Sequence, residues 1–229
     1  MKRNDRMAET VTAKEPFIFH TRMHLTELTG LRASTLGQLL ELVKEVNGSC
    51  IYHHTHRFLQ QHQYLSPEPP NDFAYWVTEV LGEDGLGERL ASIDVVQFST
   101  IRSLREKIAD TIESYLARHP AAKVRFSGEN EEFHFVKSIS FVIPTKYTAH
   151  NLCEFADMLG KVTIDSIYYH IFESRLRLEK GTNDFSNWIR TSIGDERIAR
   201  EISQLDPYTF TLEGLRSRMV RIINTRSSS

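Results

Sequence analysis

The sequence is short of the residues and segments that mark several common classes of protein. Its 229 residues include only two cysteines, Cys50 and Cys153, which excludes a disulfide-rich scaffold in a chain long enough to bury a core without one. No apolar run approaches the ~20 residues needed to span a bilayer. The basic N-terminus lacks the apolar stretch of a secretory signal. We therefore expect a cytoplasmic protein that does not associate with membranes.

Familiar catalytic and nucleotide-binding motifs are also missing. The chain contains no G-x-x-x-x-G-K-[ST], G-x-G-x-x-G, G-x-S-x-G or C-x-x-C. Phosphate-binding loops, serine-hydrolase elbows and zinc ribbons therefore have no support in the sequence. The charge balance is equally even, with 28 Lys and Arg against 30 Asp and Glu and a pI near 6.6. Duplex nucleic acid is not an expected partner, because its binding needs a strong excess of positive charge.

What the chain does contain is an internal repeat. A shift of 116 residues superimposes identical residues from the two halves without a gap. The pairs include Phe17/Phe133, Phe19/Phe135, Thr29/Thr145, Ile51/Ile167, Tyr52/Tyr168 and His54/His170. At a shift of 112 the segment Asn71, Asp72, Phe73, Trp76 matches Asn183, Asp184, Phe185, Trp188. Self-similarity at a nearly fixed spacing indicates two copies of one structural unit.

The repeat sets the predicted domain organisation. We expect a disordered N-terminal arm at 1–16, repeat 1 at 17–119, a polar connector at 120–132 and repeat 2 at 133–229. Residues 17–118 carry a net charge of −4 and residues 133–229 a net charge of +2. Opposite signs favour docking of the two repeats on each other, although exposed pairs contribute little each.

Residue spacing predicts the elements of each repeat. Phe17 and Phe19, like Phe133 and Phe135, alternate with other residues and indicate short strands. Apolar stripes with helical spacing follow, ending in Leu104, Ile108 and Ile112 or their counterparts in repeat 2. The expected fold class is mainly α with short β-strands, in which a four-helix-type unit is duplicated and packed as a pseudo-twofold, all-α body.

The retained polar and aromatic residues are the candidate ligand-binding site. If the repeats face each other, both sets converge on one cleft between them. The set comprises Tyr52, His54, Asn71, Asp72, Trp76, Tyr168, His170, Asn183, Asp184 and Trp188. A structural explanation is equally economical, because an imidazole can hydrogen-bond the Asn-Asp turn of the next helix and lock two helices together.

The histidines also raise a metal site as an alternative. His53 and His56 are spaced i, i+3 on one predicted helix, as ligands on a helix must be. His54 and His170, with Asp72 and Asp184, have the side chains for a divalent metal or for acid–base chemistry. No Cys or H-E-x-x-H pattern accompanies them. We predict no cofactor and keep a divalent metal as the alternative.

The segment Ser66-Pro67-Glu68-Pro69-Pro70 is found only in repeat 1. A stiff, extended loop beside aromatic residues is typical of binding surfaces, so an adaptor that captures a partner through this loop is a further alternative. The motifs S-I-Y-x-H, P-E-P-P-N-D-F-A-Y-W-V and N-D-F-S-x-W-I resemble those of a bacterial family known only as a domain of unknown function. This resemblance implies the duplicated layout and transfers no activity or catalytic residue.

From these features we expect a non-catalytic module that binds a small molecule or a protein in the cleft between the repeats. A metal-dependent or acid–base enzyme is the first alternative. The adaptor is the second.

Overall fold

A computed structural model describes the chain over residues 11–61, 71–174, 182–205 and 209–227. Two strands of 17 residues each, β1 (Phe17–Ala33) and β2 (Phe133–Ala149), form a two-stranded antiparallel sheet. Helices make up most of the remaining described residues. The fold is therefore mixed α/β, and the predicted all-α class with short strands and a duplicated four-helix-type unit is wrong.

Both strands begin where the alternating phenylalanines predicted short strands, but both run much further than predicted. Phe17 and Phe19 are buried at the start of β1, and Phe133 and Phe135 at the start of β2. Beyond these residues both strands are largely exposed until their last residues, Ala33 and Ala149. Because these exposed stretches bury no continuous face, the hydrophobicity pattern does not define how far the strands extend.

Helices of the first repeat follow β1. They are α1 (Leu36–Glu45), α2 (Gly48–Gln61), α3 (Asp72–Tyr75), α4 (Asp84–Ala91) and α5 (Ile101–Leu116). A π-helical turn, Trp76–Val80, extends α3, and 3-10 turns lie at Val95–Gln97 and Pro120–Val124. The predicted buried stripe of α5, Leu104, Ile108 and Ile112, is confirmed.

Helices of the second repeat follow β2 in the same order. They are α6 (Leu152–Leu159), α7 (Ile164–Tyr168), α8 (Asp184–Trp188), α9 (Glu196–Ser203) and α10 (Leu212–Ser227). π-Helical turns extend α7 over Tyr169–Glu173 and α8 over Ile189–Ile193. The stripe Leu215, Met219 and Ile223 on α10 is buried, as predicted.

The need to cap two helices explains why one asparagine is identical in both repeats. Asn71 caps α3 by accepting the Ala74 N–H at 2.8 Å, and Asn183 caps α8 by accepting the Ser186 N–H at 2.8 Å. The cap is thus the asparagine and not the aspartate that follows it. Both Asp72 and Asp184 are left to bond elsewhere.

The described residues fall into two compact units that exchange their opening strands. Unit 1 contains the described residues of Met1–Met23, Val142–Arg175 and Thr182–Ser229, and unit 2 contains those of His24–Phe141. The first part of β1 therefore belongs with the helices of repeat 2. The first part of β2 belongs with the helices of repeat 1.

Each unit has an aromatic core built around the exchanged strand. In unit 1, Phe17 contacts the rings of Phe155, Phe185 and Trp188, with centroids 5.3, 5.4 and 5.6 Å apart. Phe19 contacts those of Phe155 and Phe185, at 5.3 and 6.0 Å. In unit 2, Phe133 and Phe135 pack in the same way against Phe73, and Phe133 also contacts Trp76. None of the helices in the described stretches is long and apolar enough to cross a membrane.

Candidate functional site

His54 joins two separate segments inside unit 2. Its Nδ1 lies 2.8 Å from Oδ2 of Asp72, at the start of α3, and its Nε2 accepts the backbone N–H of Val136 at 3.0 Å. The ring is buried against Phe133, with centroids 4.7 Å apart. His54 thereby connects helices α2 and α3 of repeat 1 to strand β2 of repeat 2.

His170 makes the same arrangement inside unit 1. Its Nδ1 lies 2.7 Å from Oδ2 of Asp184, and its Nε2 accepts the backbone N–H of His20 at 2.8 Å. The ring is buried against Phe17, with centroids 4.9 Å apart. The two sites differ in solvent access, because the Asp72 side chain is 53% exposed and the Asp184 side chain 16%.

These bonds assign a role to every polar atom of both rings. A backbone N–H can only donate, so Nε2 of His54 and of His170 must be the acceptor, and the ring proton resides on Nδ1 and points at the aspartate. The Nε2 lone pair of each ring accepts a backbone N–H, so it is not available to a metal ion or to a substrate proton while the strand is in place. The geometry is that of a latch on the exchanged strand, which we call the His-Asp latch.

The two tryptophans bond to the same exchanged segments. Trp76 donates its indole N–H to the carbonyl oxygen of Glu131 at 2.6 Å, and Trp188 donates to that of Glu15 at 2.7 Å. Glu15 and Glu131 are related by the same shift of 116 residues as the strands themselves. Each indole therefore holds the residue that leads into the exchanged strand.

A pair of threonines completes the attachment. The Thr29 hydroxyl donates to the Phe135 carbonyl at 2.7 Å and the Thr145 hydroxyl to the Phe19 carbonyl at 2.8 Å. A tryptophan, a histidine and a threonine that are retained in both repeats thus hydrogen-bond each exchanged segment. The sequence had marked all three residue types as retained without revealing this shared task.

The structure places the predicted ligand-binding residues in two sets. Tyr52, His54, Asn71, Asp72 and Trp76 lie in unit 2, and their counterparts Tyr168, His170, Asn183, Asp184 and Trp188 lie in unit 1. Tyr52 stacks on His56 at 4.7 Å and Tyr168 on Phe172 at 5.2 Å. The assignment of these residues to ligand binding stays a prediction.

The histidines suggested as metal ligands have protein partners. His53 Nδ1 lies 2.9 Å from the Ser138 hydroxyl, and His56 Nδ1 lies 2.8 Å from the Thr55 hydroxyl. The Thr55 hydroxyl donates to the Ile51 carbonyl, so His56 Nδ1–H is the donor in the second contact. Within the described ranges, no three His, Cys, Asp or Glu side chains are grouped to hold a metal ion.

Unit 2 also contains a surface cleft that the sequence did not indicate. Its volume is about 520 Å³, and it lies between the end of α4, the 3-10 turn that follows and α5. Its lining is Arg89, Ser92, Ile93, Asp94, Gln97, Phe98, Lys107, Asp110, Thr111 and Ser114. Asp94 and Phe98 belong to the retained pairs, with Asp206 and Phe210 as partners in repeat 2. Their identity in both repeats was the only sequence feature that pointed to this cleft, and two residues were too few to predict a site.

Tyr115 lies next to this cleft and is buried beneath Arg89, whose guanidinium is 5.8 Å from the centre of the ring. The tyrosine hydroxyl donates to the Glu83 carboxylate at 2.6 Å. This hydrogen bond, followed by burial, raises the pKa of Tyr115, and the nearby Arg89 and Arg125 oppose the increase. Tyr115 is therefore held as a neutral donor that anchors α5 to the start of α4.

The proline-rich segment Ser66–Pro70, proposed from the sequence as an adaptor loop, lies outside the described residues. Residues 1–10 of the predicted N-terminal arm also lie outside them. Further along that arm, Ala13 donates to the His150 carbonyl at 2.7 Å and Lys14 to the Ser192 carbonyl at 2.9 Å, both in unit 1.

Comparison with known proteins found a similar solved structure and a matching family model. No curated protein matches the chain. The structure of OrfY from Thermoproteus tenax is similar to it with a TM-score of 0.80 and 30% sequence identity, over 95% of this chain and 98% of that one. A family of unknown function, DUF5752, matches residues 14–224. The expected resemblance to a family of unknown function is thus confirmed, and the chain belongs to this family.

Proposed function

We propose that the protein is a non-catalytic binding module that holds a small zwitterion, of the free amino acid or dipeptide class, in the cleft of unit 2. The observation that carries the proposal is the cleft itself, whose volume of about 520 Å³ is that of a small-molecule site. Both signs of charge line it, together with hydroxyl groups and two apolar residues.

The charged side chains of the cleft suit a ligand that carries both charges. Arg89 and Lys107 supply two cations for a carboxylate, and Asp94 and Asp110 supply two carboxylates for an ammonium group. One Asp94 oxygen already accepts the Val96 N–H at 3.1 Å. A singly charged ligand would leave one of these sets without a partner.

The hydroxyl groups add acceptors for the ammonium group. Ser92 donates its hydroxyl proton to the Arg89 carbonyl at 2.8 Å, and Thr111 donates to the Lys107 carbonyl at 2.7 Å. Because both hydroxyl protons are used in these bonds, each hydroxyl oxygen acts only as an acceptor toward a ligand. Ile93 and Phe98 supply apolar surface for an aliphatic side chain of the ligand.

The His-Asp latches support a module without catalysis. Both ring nitrogens of His54 and of His170 are engaged in bonds that hold backbone segments. An acid–base or metal-dependent enzyme built on these histidines requires a nitrogen that the exchanged strand already occupies.

Thermal shift and calorimetry with leucine and leucyl-leucine test the proposal, because a ligand that binds the native state raises the unfolding temperature. We expect stabilisation by the zwitterions and none by N-acetyl-leucine or leucinamide, each of which lacks one charge. Arg89→Ala and Asp110→Asn should abolish the shift. Arg190→Ala, an exposed arginine in unit 1, is the matched control and should leave it intact.

Two results would contradict the proposal. One is the absence of any shift with the zwitterions in the wild-type protein. The other is a shift that persists at full size in both Arg89→Ala and Asp110→Asn, which would place the ligand elsewhere.

A further inference from the structure

The ring of Tyr115, next to the cleft of unit 2, is fixed by two contacts. Its hydroxyl donates to the Glu83 carboxylate at 2.6 Å, and the ring of His119 stacks on it with centroids 4.4 Å apart. Tyr115 is only 7% exposed, so close packing leaves its side chain little freedom to move. The ring is therefore a fixed surface beside the cleft.

Glu83 holds this tyrosine and does not cap its own helix. It occupies the N-cap position of α4, but its side chain makes no capping hydrogen bond. The matching residue of the second repeat, Asp195, does cap its helix, by accepting two backbone N–H groups at 3.0 and 2.8 Å. The Glu83 carboxylate instead accepts the Tyr115 hydroxyl and lies 3.6 Å from Nε of Arg125. Unit 2 thus forgoes a stabilising cap and uses the carboxylate to hold Tyr115.

Arg89 lies over this fixed ring. Its guanidinium carbon is 5.8 Å from the ring centre, within the ~6 Å over which a cation and an aromatic face attract each other. Arg89 is also exposed and lines the cleft, so its guanidinium N–H groups can exchange water for a ligand. One side chain thus contacts both the buried ring and the space where a ligand would bind.

The second repeat shows that the fold does not require a tyrosine at this position. At the shift of 111 residues that aligns the last helices of the repeats, Arg226 takes the place of Tyr115, whereas Arg197 matches Arg89. Helices α5 and α10 nevertheless both form, with 16 residues each. Tyr115 therefore belongs only to the repeat whose helices line the cleft.

We propose that Tyr115 is the positioning residue for ligand recognition in this cleft, because it holds Arg89 in the orientation that receives the carboxylate of the ligand. The inference rests on the zwitterion-binding function proposed above. A guanidinium binds a carboxylate through two parallel N–H bonds, so its orientation decides whether both bonds form. A side chain that is already oriented also loses less conformational freedom when the ligand binds.

Lys107, the other cation of the cleft, differs from Arg89 in its chemistry. An ammonium group is a point charge on a flexible stem and has no planar fork to align with a carboxylate. We therefore assign the paired hydrogen bonds with the carboxylate to Arg89, and to Lys107 a less directional attraction.

Nitrogen relaxation of the Arg89 Nε–H group tests the positioning without any ligand. We expect an ordered group in the wild type and an order parameter below about 0.6 in Tyr115→Leu, which removes the ring. Tyr115→Phe keeps the ring and loses the bond to Glu83, so it should give an intermediate value and serves as the test if the leucine variant does not fold. The signal is assigned by its loss in Arg89→Lys. Tyr75→Leu, at an exposed tyrosine of unit 2, is the matched control and should resemble the wild type.

Calorimetry with leucine tests the consequence for binding. We expect Tyr115→Leu to bind leucine about three- to tenfold more weakly than the wild type, because one arginine side chain must then be ordered on binding. In an Arg89→Lys background the same substitution should have no further effect, since lysine has no planar fork to orient. In a Lys107→Met background, the matched control, its full effect should remain.

Three results would overturn the inference. The first is equal order of the Arg89 group in the wild type and in the Tyr115 variants, whether or not leucine binds. The second is a full three- to tenfold loss from Tyr115→Leu in the Arg89→Lys background, because the tyrosine would then act independently of Arg89. The third is a wild type with an ordered Arg89 group that does not bind leucine, which would overturn the proposed function and, with it, the role of Tyr115 in recognition.

Discussion

His54 accepts the backbone N–H of Val136, which lies 82 residues further along the chain, at 3.0 Å. The bond joins a helix of the first repeat to the opening strand of the second. The equivalent bond, from the His20 N–H to His170, spans 150 residues in the opposite direction. Together they show that the retained histidines attach each repeat to a strand of the other.

Replacing His54 should release the strand in unit 2 specifically. His54→Ala leaves the half-buried Val136 N–H without its acceptor, and we expect a loss of about 1 kcal/mol of unfolding free energy from that group. Hydrogen exchange should accelerate at the Val136 amide and not at the His20 amide. His170→Ala is the matched variant and should show the reverse pattern. Equal protection of both amides in both variants would contradict the latch.

The indole bonds should contribute less than the latch. Trp76→Phe removes the donor to the Glu131 carbonyl while keeping an aromatic ring, so we expect a loss of about 1 kcal/mol for the hydrogen bond. Urea unfolding followed by circular dichroism measures it, with Tyr75→Phe as the control because the neighbouring Tyr75 is exposed. A cost equal to that of Tyr75→Phe would show that the indole N–H contributes nothing.

Thr29 acts through its hydroxyl, since this group both donates to the Phe135 carbonyl and accepts the Leu31 N–H at 3.1 Å. Thr29→Val keeps the shape of the side chain and removes both bonds. We expect a loss of about 1 kcal/mol or more in chemical denaturation. Thr26→Val, at an exposed residue of the same strand, should be neutral, and indistinguishable stabilities for the two variants would refute the role.

Tyr115 should make stability depend on alkaline pH. Its pKa is raised, chiefly by the hydrogen bond to Glu83 and then by burial. A raised folded pKa means that the stabilisation is fully present below the unfolded tyrosine pKa of about 10 and is lost as the pH rises through the folded value. We therefore expect the wild type to exceed Tyr115→Phe in urea midpoint at neutral pH, with a gap that closes at alkaline pH.

The control for this effect is Glu83→Gln, which removes the negative charge of the acceptor. The alkaline dependence should then weaken. A gap between wild type and Tyr115→Phe that stays constant through pH about 10 would show that the hydroxyl does not keep its proton more firmly in the folded state.

The sequence predicted the buried helix stripes and the first residues of both strands, but it did not predict the length of the strands. The stripes of α5 and α10 repeat every three or four residues because one face of each helix is buried. The middle of β1, from Thr26 to Leu28, is exposed on successive residues and carries no such signal. Local pattern can identify only elements that bury one face.

The bonding partners within the candidate site could not be predicted from the sequence either. Comparison of the repeats selected His54, Asp72 and Trp76 together as candidates for ligand binding. It did not predict that Val136 and Glu131, through their backbone atoms, are the bonding partners. Backbone partners leave no trace in residue identity, and the exchange of strands places them more than fifty residues away in the sequence.

The exchanged strands set the order of events while the ribosome makes the chain. Helices α1 to α5 emerge before Phe133 and Phe135, so the hydrophobic centre of unit 2 stays incomplete until the second repeat has begun to appear. Phe17 and Phe19 are made early and must wait for Phe155 and Phe185. Neither unit finishes as an early co-translational intermediate, and contacts this distant in sequence are associated with slow folding. We therefore expect the nascent first repeat to expose apolar surface until the second repeat begins to emerge, and such surface favours aggregation.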